Sequence, residues 1–569
     1  MKNKSCYIYI LMVALILTGS CNKKLAENPR SLTPAFLKTA QGLQQGLDAA
    51  YAGTRNIWGP QAYFHLTLAG TDMWKRGIDG TASINEYTSG FTSSDGNVSS
   101  VWNTCYTYIN TCNAVIDFAS KVAGIDSTTK NEMIGEAQFL RGQYYFILVQ
   151  FWGDVTLNEH FQSVPTTSAT RAPMADVYNF IIQDLEDAIK VLPPSPQQNG
   201  VLPGKATGAA ARHLLAKVYL TRGYSSAKQP DDFKNAASEA IGLINDAPSL
   251  GIGLLPDFGD VFREGNEANK EVLWSVQHTS DLAYNGSPKQ NSSGPDNLYC
   301  HLWVPQYERV PGMQRSTLYG RPYIREVPTL WLLDTAFAER QNDTRYHKTF
   351  QTVWLCNNPA GIPVWPNPLP PGAPADAVSG QPKFALGDTA IYMPGYNVTD
   401  AQIAAAPYLL IPPRKYSIAL SPAMTKYFDT KRSDQNAPSI RPIIVYRLAG
   451  TYLIAAEALY EMGDAADAVQ YINAVRERAA YPTGNAAAMD ITAGQLSLDF
   501  ILDERARELC GETTRWLDLV RTHQLVERVQ QHNPPAAPNI QPFDVLRPIP
   551  QSQIDAVTTG PAYPQNTGW

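Results

Sequence analysis

The sequence predicts a mainly α protein: a scaffold of about four tetratricopeptide-like helix pairs, opened by a large loop-rich insert that contains short strands. Three observations lead there. Apolar residues recur at helical spacing over long segments near both ends of the chain. Several segments read as helix, tight turn and returning helix, with small residues where two helices would touch. Between residues 248 and 440 this periodicity gives way to Gly, Pro, Asn and Ser punctuation.

In order, Thr33-Pro34 opens a helix that runs to about Ile57, with Pro in its first turn. A second helix is predicted over Val98–Ala123. The third, Asn131–Trp152, pairs with Ala175–Leu192, which stops at Pro193-Pro194. Thr207–Arg222 is rich in small residues and is expected to end at Gly223, with Asp232–Ile244 as its partner. The clearest pair is Tyr446–Met462 and Ala465–Ala480 around Gly463-Asp464. There Ala456, Leu459, Tyr460, Gly463, Ala468, Ile472 and Pro482 fit the tetratricopeptide pattern. The pairs thus occupy 33–123, 131–192, 204–247 and 441–482. Two further helices, Ala493–Cys510 and Thr513–Arg521, close the chain. Residues 55–97 and 248–440 read as inserts. Val272–Gln277 and, more weakly, Lys383–Tyr392 alternate like strands, and Thr329–Arg340 reads as a helix. Eight prolines between 359 and 382 predict an extended surface loop.

Composition narrows the function. The 569 residues carry a formal net charge of −6, with 17% charged and 44% hydrophobic, which fits a packed, water-soluble body. No basic excess marks a nucleic-acid binder. The 29 Tyr and 11 Trp outnumber the 18 Phe, and rings with a polar handle suit ligand clefts. A basic start (Lys2, Lys4) and the apolar run Tyr7–Thr18 have signal-peptide proportions. Leu17-Thr18-Gly19-Ser20-Cys21 resembles the bacterial lipoprotein cleavage box. That resemblance implies a signal peptide over 1–20, lipidation of Cys21 and a tether over 21–32. Cys105, Cys112, Cys300, Cys356 and Cys510 remain, too few and too scattered for a disulfide framework, and are expected as buried thiols.

Signatures of catalysis are missing: the sequence has no phosphate-binding loop, zinc-protease helix or nucleophile elbow. Glu504 and Glu508 are one helical turn apart among arginines. They read as a salt-bridged outer face, not as two carboxyls across a cleft. No metal or cofactor is expected, and no EF-type calcium loop is visible.

Six segments, in order, resemble the SusD/RagB family of Bacteroidetes outer-membrane lipoproteins. They are Leu32-Thr33-Pro34 with Ala49–Gly53; Glu136–Arg141 through Tyr144-Tyr145-Phe146; Trp152–Val155; Arg447–Ala458; Asp503–Leu509 with Arg515–Leu519; and Arg547–Pro550 with Gln565-Asn566 and Gly568. Cys510–Thr514 departs from the family's aromatic-Glu-Gly stretch. Asn22-Lys23-Lys24 is not the acidic run linked to surface export. The resemblance implies a non-enzymatic protein that holds a nutrient for a SusC-like TonB-dependent outer-membrane transporter. The nutrient is an oligosaccharide, or alternatively a peptide or another nutrient; a lipoprotein hydrolase is the remaining reading. It also implies a helical part over 33–247, a ligand-binding insert over 248–440 and a closing helical part over 441–569. Arg141, Trp152, Asp154, Glu457, Arg505, Glu508 and Arg515 are expected to carry the fold, as buried ion pairs or helix packing.

A sugar site needs flat aromatics beside planar polar groups. Tyr299, Trp303 and Tyr307 fall at four-residue spacing beside Asn297 and Arg309, and Trp74 lies beside Asp72 in the first insert. These seven are the expected ligand contacts. Trp58, Tyr63, Tyr284, Asn285, Tyr319 and Trp354 stand behind them. Trp102, Trp274, Trp331 and Trp516 are expected in the core, and Arg309, Arg315 and Arg321 would suit carboxylates.

Overall fold

Seven helices follow one another as an antiparallel stack, each packed on the next, in a computed structural model that describes residues 34–279, 281 and 296–569. The expected signal peptide, tether, Cys21, Tyr284 and Asn285 lie outside the described residues. α1 (Ala40–Thr54) packs on the first helix of the stack, α3 (Gly96–Ala119). Then come α4 (Ser127–Trp152), α5 (Met174–Val191), α6 (Gly208–Tyr224), α7 (Asp232–Asp246), α8 (Leu448–Glu461) and α9 (Ala465–Ala479). The stack is continuous from α7 to α8 although residues 247–447 intervene. The insert therefore leaves the scaffold and returns to the next position in it. That explains how repeats can be scattered in sequence yet adjacent in space.

Local chemistry sets the helix ends. Thr39, Asp95, Asp126, Thr207 and Asp464 each accept a backbone N–H in the first turn of α1, α3, α4, α6 and α9. α4 buries residues on every side from Phe139 to Trp152, as a central helix must. α5 buries one stripe, Val177, Tyr178, Ile181, Ile182, Leu185 and Ala188. Gly463 turns the chain between α8 and α9 at φ 83°, a conformation costly for other residues. Gly223 was expected to stop α6 but lies within it. A Cβ there would sit 2.8 Å from the Phe233 ring, so this glycine serves the approach of α7.

The structure differs from expectation in four further places. Residues 55–97 contain a buried helix, α2 (Gln61–Leu68), absent from the sequence reading because its apolar residues cover every side. Thr329–Arg340 forms only one wide π turn, Trp331–Ala336. Ala493–Cys510 divides at Ser497, whose side chain caps α10 (Leu498–Glu508). Tyr446 and Arg447 end a strand instead of starting a helix. α11 (Arg515–Arg521) and α12 (Leu525–His532) follow.

The sheets are small. β1 (Trp74–Arg76) pairs antiparallel with β3 (Glu326–Pro328), joining the two inserts. β2 (Val272–Val276) pairs antiparallel with β9 (Ile443–Arg447) where the large insert leaves and returns. β4 (Phe350–Gln351) pairs with β8 (Ala423–Met424). Between them β5 (Val353–Leu355), β6 (Thr389–Tyr392) and β7 (Leu409–Leu410) form a three-stranded sheet. Its inner face, with Trp354 and Ile391, closes a separate core with Val304, Tyr307 and Met313. Residues 359–382 form neither helix nor strand, as their prolines predict.

Candidate functional site

The carboxylates that sequence suggests for chemistry are all saturated by arginine. Glu508 accepts from Arg345 at 2.8 Å, Arg447 at 2.5 Å and Arg478, and Glu504 from Arg345 at 2.6 Å, Arg476 at 3.0 Å and Arg507 at 2.8 Å. Burial pushes both carboxyls upward, but the guanidiniums outweigh it and hold them well below the usual carboxylate range. Neither can supply a proton near neutral pH. They are salt-bridged as expected, and Glu508 is a buried ion-pair member as the typical residues predict; the outer-face reading of the pair does not hold, because α10 is covered by the insert's Arg345 and by β9's Arg447. Arg141–Asp184, Arg505–Asp518 and Arg521–Glu457 are further buried pairs. Asp154 departs from this set: it is exposed and accepts the Met174 N–H at the start of α5.

Six of the seven expected ligand contacts are buried. The Trp303 ring, 3% exposed, lies 4.5 Å from Trp74 and 4.7 Å from Phe64 between centroids. Trp74 is 1% exposed. Tyr299 packs between Phe64 and Tyr427. Tyr307 donates to the Gly320 carbonyl at 2.8 Å inside the insert core. Asn297 donates to the Arg441 carbonyl and ties the middle of the insert to its returning end. Asp72 joins Arg515 and Arg528, which overcome its burial and hold it at about 2. Rings covered on both faces offer nothing for a sugar to stack on, so these six are corrected to packing and scaffold roles. The four-residue spacing misled because Tyr299–Leu302 is a single turn broken before Pro305. Only Arg309 is exposed. Trp58, Tyr63, Tyr319 and Trp354 are buried too, as are the four expected core tryptophans and the five thiols.

One exposed and two half-buried tyrosines gather elsewhere in the insert. The outer face of the β5–β6–β7 sheet carries Val353 and Leu355, 38% and 45% exposed, and Val353 is the cross-strand partner of Tyr392. Tyr392 meets Tyr408 at 5.9 Å between centroids, and Tyr396, 60% exposed, stands beside it. Partial burial, then the neighbouring Tyr396 phenol, raises the Tyr392 hydroxyl's pKa. Tyr396 follows the Pro394-Gly395 turn, which Arg340 fixes by donating to the Gly395 carbonyl at 2.7 Å. Polar groups rim this face: Arg414 donates to Asp400 at 2.8 Å, and Asn397 accepts the Arg414 N–H. The exposed Tyr396, beside the half-buried Tyr392 and Tyr408 and a planar polar rim, can stack on and hydrogen-bond a ring-shaped polar ligand. Sequence reading missed Tyr396 and Tyr408, since no helical spacing links them; the signal was tyrosines flanking a Pro-Gly turn.

Among the described residues no group of three or more His, Cys, Asp or Glu side chains could hold a metal ion, and no helix is long and apolar enough to cross a membrane.

Comparison with known proteins adds an independent line. The model of the SusD family matches residues 334–569, and a model described as "Starch-binding associating with outer membrane" matches 25–220. SusD-like protein P2 of Formosa agariphila is 28% identical, over 98% of this chain and 99% of that protein. A SusD homologue from Bacteroides thetaiotaomicron superposes with a TM-score of 0.71 at 20% identity, over 94% of this chain and 98% of that one. A laminarin-binding SusD-like protein superposes at 0.65 with 22% identity, over 94% and 100% of the respective chains.

Proposed function

The chain belongs to the SusD family, and from that premise we propose that it captures an oligosaccharide at the bacterial outer membrane and passes it, unaltered, to a SusC-like TonB-dependent transporter. The protein binds and does not catalyse. The observation that carries this reading is the end-to-end relation to SusD-like proteins, among whose structural neighbours are a laminarin-binding and a surface glycan-binding protein. The description of the N-terminal match supports association with the outer membrane. Lipidation at Cys21 supplies the anchor, since acyl chains hold a soluble body at a membrane without a spanning helix.

In this reading the helical stack is the rigid support and residues 248–440 present the ligand face, where loops held by a scaffold usually carry recognition. Tyr392, Tyr396 and Tyr408 stack on pyranose rings; Asn397 and Arg414 meet the hydroxyls. The test is a glycan array with the soluble form beginning at residue 22, run beside a peptide panel. Binding to one polysaccharide class without turnover supports the reading, and Tyr396→Ala with Tyr408→Ala is expected to weaken it about tenfold. Binding only to peptides would replace the oligosaccharide by a peptide. Copurification with the transporter tests the handover.

A further inference from the structure

A cleft of about 740 Å³ opens on the scaffold, not on the insert's tyrosine face. Its walls are one side of α1 from Gln44 to Arg55, Glu136 of α4, the 202–205 loop and the edge of β2 from Trp274 to Gln277. The site is built firmly. Trp274 donates its indole N–H to the Gly204 carbonyl at 3.0 Å, and a Cβ at Gly204 would strike Gln277 at 2.7 Å, so the loop lies flat against β2. Tyr51 donates to Glu136 at 2.6 Å and accepts the Ala206 N–H at 2.9 Å.

The four charged side chains of this cleft, Asp48, Arg55, Glu136 and Lys205, sum to zero, but only Lys205 and Glu136 are paired with each other. Lys205 is neutralised by Glu136 at 3.0 Å. Asp48 accepts from the Gln44 amide at the rim. Arg55 is left over: no carboxylate lies within ion-pair distance of it among the described residues, and its buried Nε has no acceptor. Among the described residues the buried arginines, except Arg432 and Arg547, are each met by a carboxylate. A half-buried guanidinium without an acceptor costs free energy that a ligand's oxygen atoms can recover. Its planar fork fits a carboxylate through two parallel hydrogen bonds. Leu47, Ala52 and the exposed Leu202 give the adjoining wall an apolar surface for the body of such a ligand.

We propose that this cleft is a second binding site, for a carboxylate-bearing ligand, with Arg55 as the group that holds the carboxylate. The tyrosine face and the cleft are made by different elements, so a neutral glycan on one and a carboxylate in the other are compatible. A uronic-acid unit and an acidic peptide offer the same carboxylate. Titration calorimetry of the soluble form with trigalacturonate, triglutamate and maltotriose separates them. One or both acidic probes are expected to bind, more weakly as salt rises. Arg55→Gln is expected to reduce that affinity about tenfold or more, with partial recovery in Arg55→Lys. Leu202→Glu, an exposed change that puts a negative charge at the mouth, is expected to weaken it while leaving the fold intact, and Tyr396→Ala to leave it unchanged. Binding of trigalacturonate alone identifies a saccharide carboxylate, and binding of triglutamate alone a peptide one. Failure of both acidic probes to bind, or binding unaffected by both Arg55→Gln and Leu202→Glu, overturns the site whatever the tyrosine face does.

Discussion

Replacing Glu508 by Gln tests what holds the insert to the scaffold. Glu508 is wholly buried and meets Arg345 from the insert, Arg447 from β9 and Arg478 from α9. Around it lie six buried cations: Arg345, Lys426, Arg447, Arg476, Arg478 and Arg507. Facing them are the buried carboxylates of Glu271, Asp343, Glu504, Glu508 and Glu512, with Glu339 at the rim. The balance is close, so one lost carboxylate leaves a whole positive charge away from water. The Gln amide keeps the shape but turns an N–H toward a guanidinium. Breaking one side of such a buried arrangement costs about 3–5 kcal/mol. Urea unfolding followed by tryptophan fluorescence at pH 7 reads the loss directly. Asp187→Asn, which removes the exposed Lys190–Asp187 pair, is the control and is expected to match the wild type. A Glu508→Gln protein with native spectra and stability within about 0.5 kcal/mol of the wild type would refute the reasoning.

Two other outcomes are expected. Trp303→Ala should destabilise by about 3–5 kcal/mol, as for a large core ring, and glycan binding measured on its folded fraction should be unchanged. Acid should weaken the protein in a defined window. Asp72 is held at about 2, and Glu504, Glu508 and Asp518 lie lower still, all below their ordinary values of 3.8 and 4.5. A depressed carboxyl contributes fully above its unfolded pKa and loses its contribution as pH falls through the folded one. Unfolding midpoints should therefore change little from these groups between pH 7 and 5 and fall steeply below about 4.5; a flat profile down to pH 3 would count against the network.

The scaffold was legible in sequence because its signal is local. Helices α3 to α9 are set by spacing, caps and the Gly463 turn within their own residues. The continuity from α7 to α8 was not legible, since it depends on β2 and β9 finding each other across the insert. The helix spacing alone was misleading for a similar reason: Glu504 one turn from Glu508 looks like a solvent face until Arg345, over 150 positions earlier, is placed on it. Trp303 and Tyr299 have the composition of a ligand site, yet their neighbours Phe64 and Tyr427 come from distant segments and cover them. Exposure is what distinguishes Tyr396 from Trp303, and exposure is a property of the whole fold.

The antiparallel clasp of β2 and β9 brings the two ends of the insert side by side. Such an arrangement makes the intervening residues exchangeable in principle, because a replacement needs only to span the same short gap. The ion cluster restricts that freedom. Arg345, itself held by Asp343, and Lys426 belong to the insert by sequence but neutralise Glu504, Glu508 and Glu512 of the scaffold. A chimera that transplants a foreign recognition segment between positions 277 and 442 must bring equivalents of these three side chains with it. Recombination among relatives is thus expected to preserve a charged root at the base of each segment while its outer surface diverges.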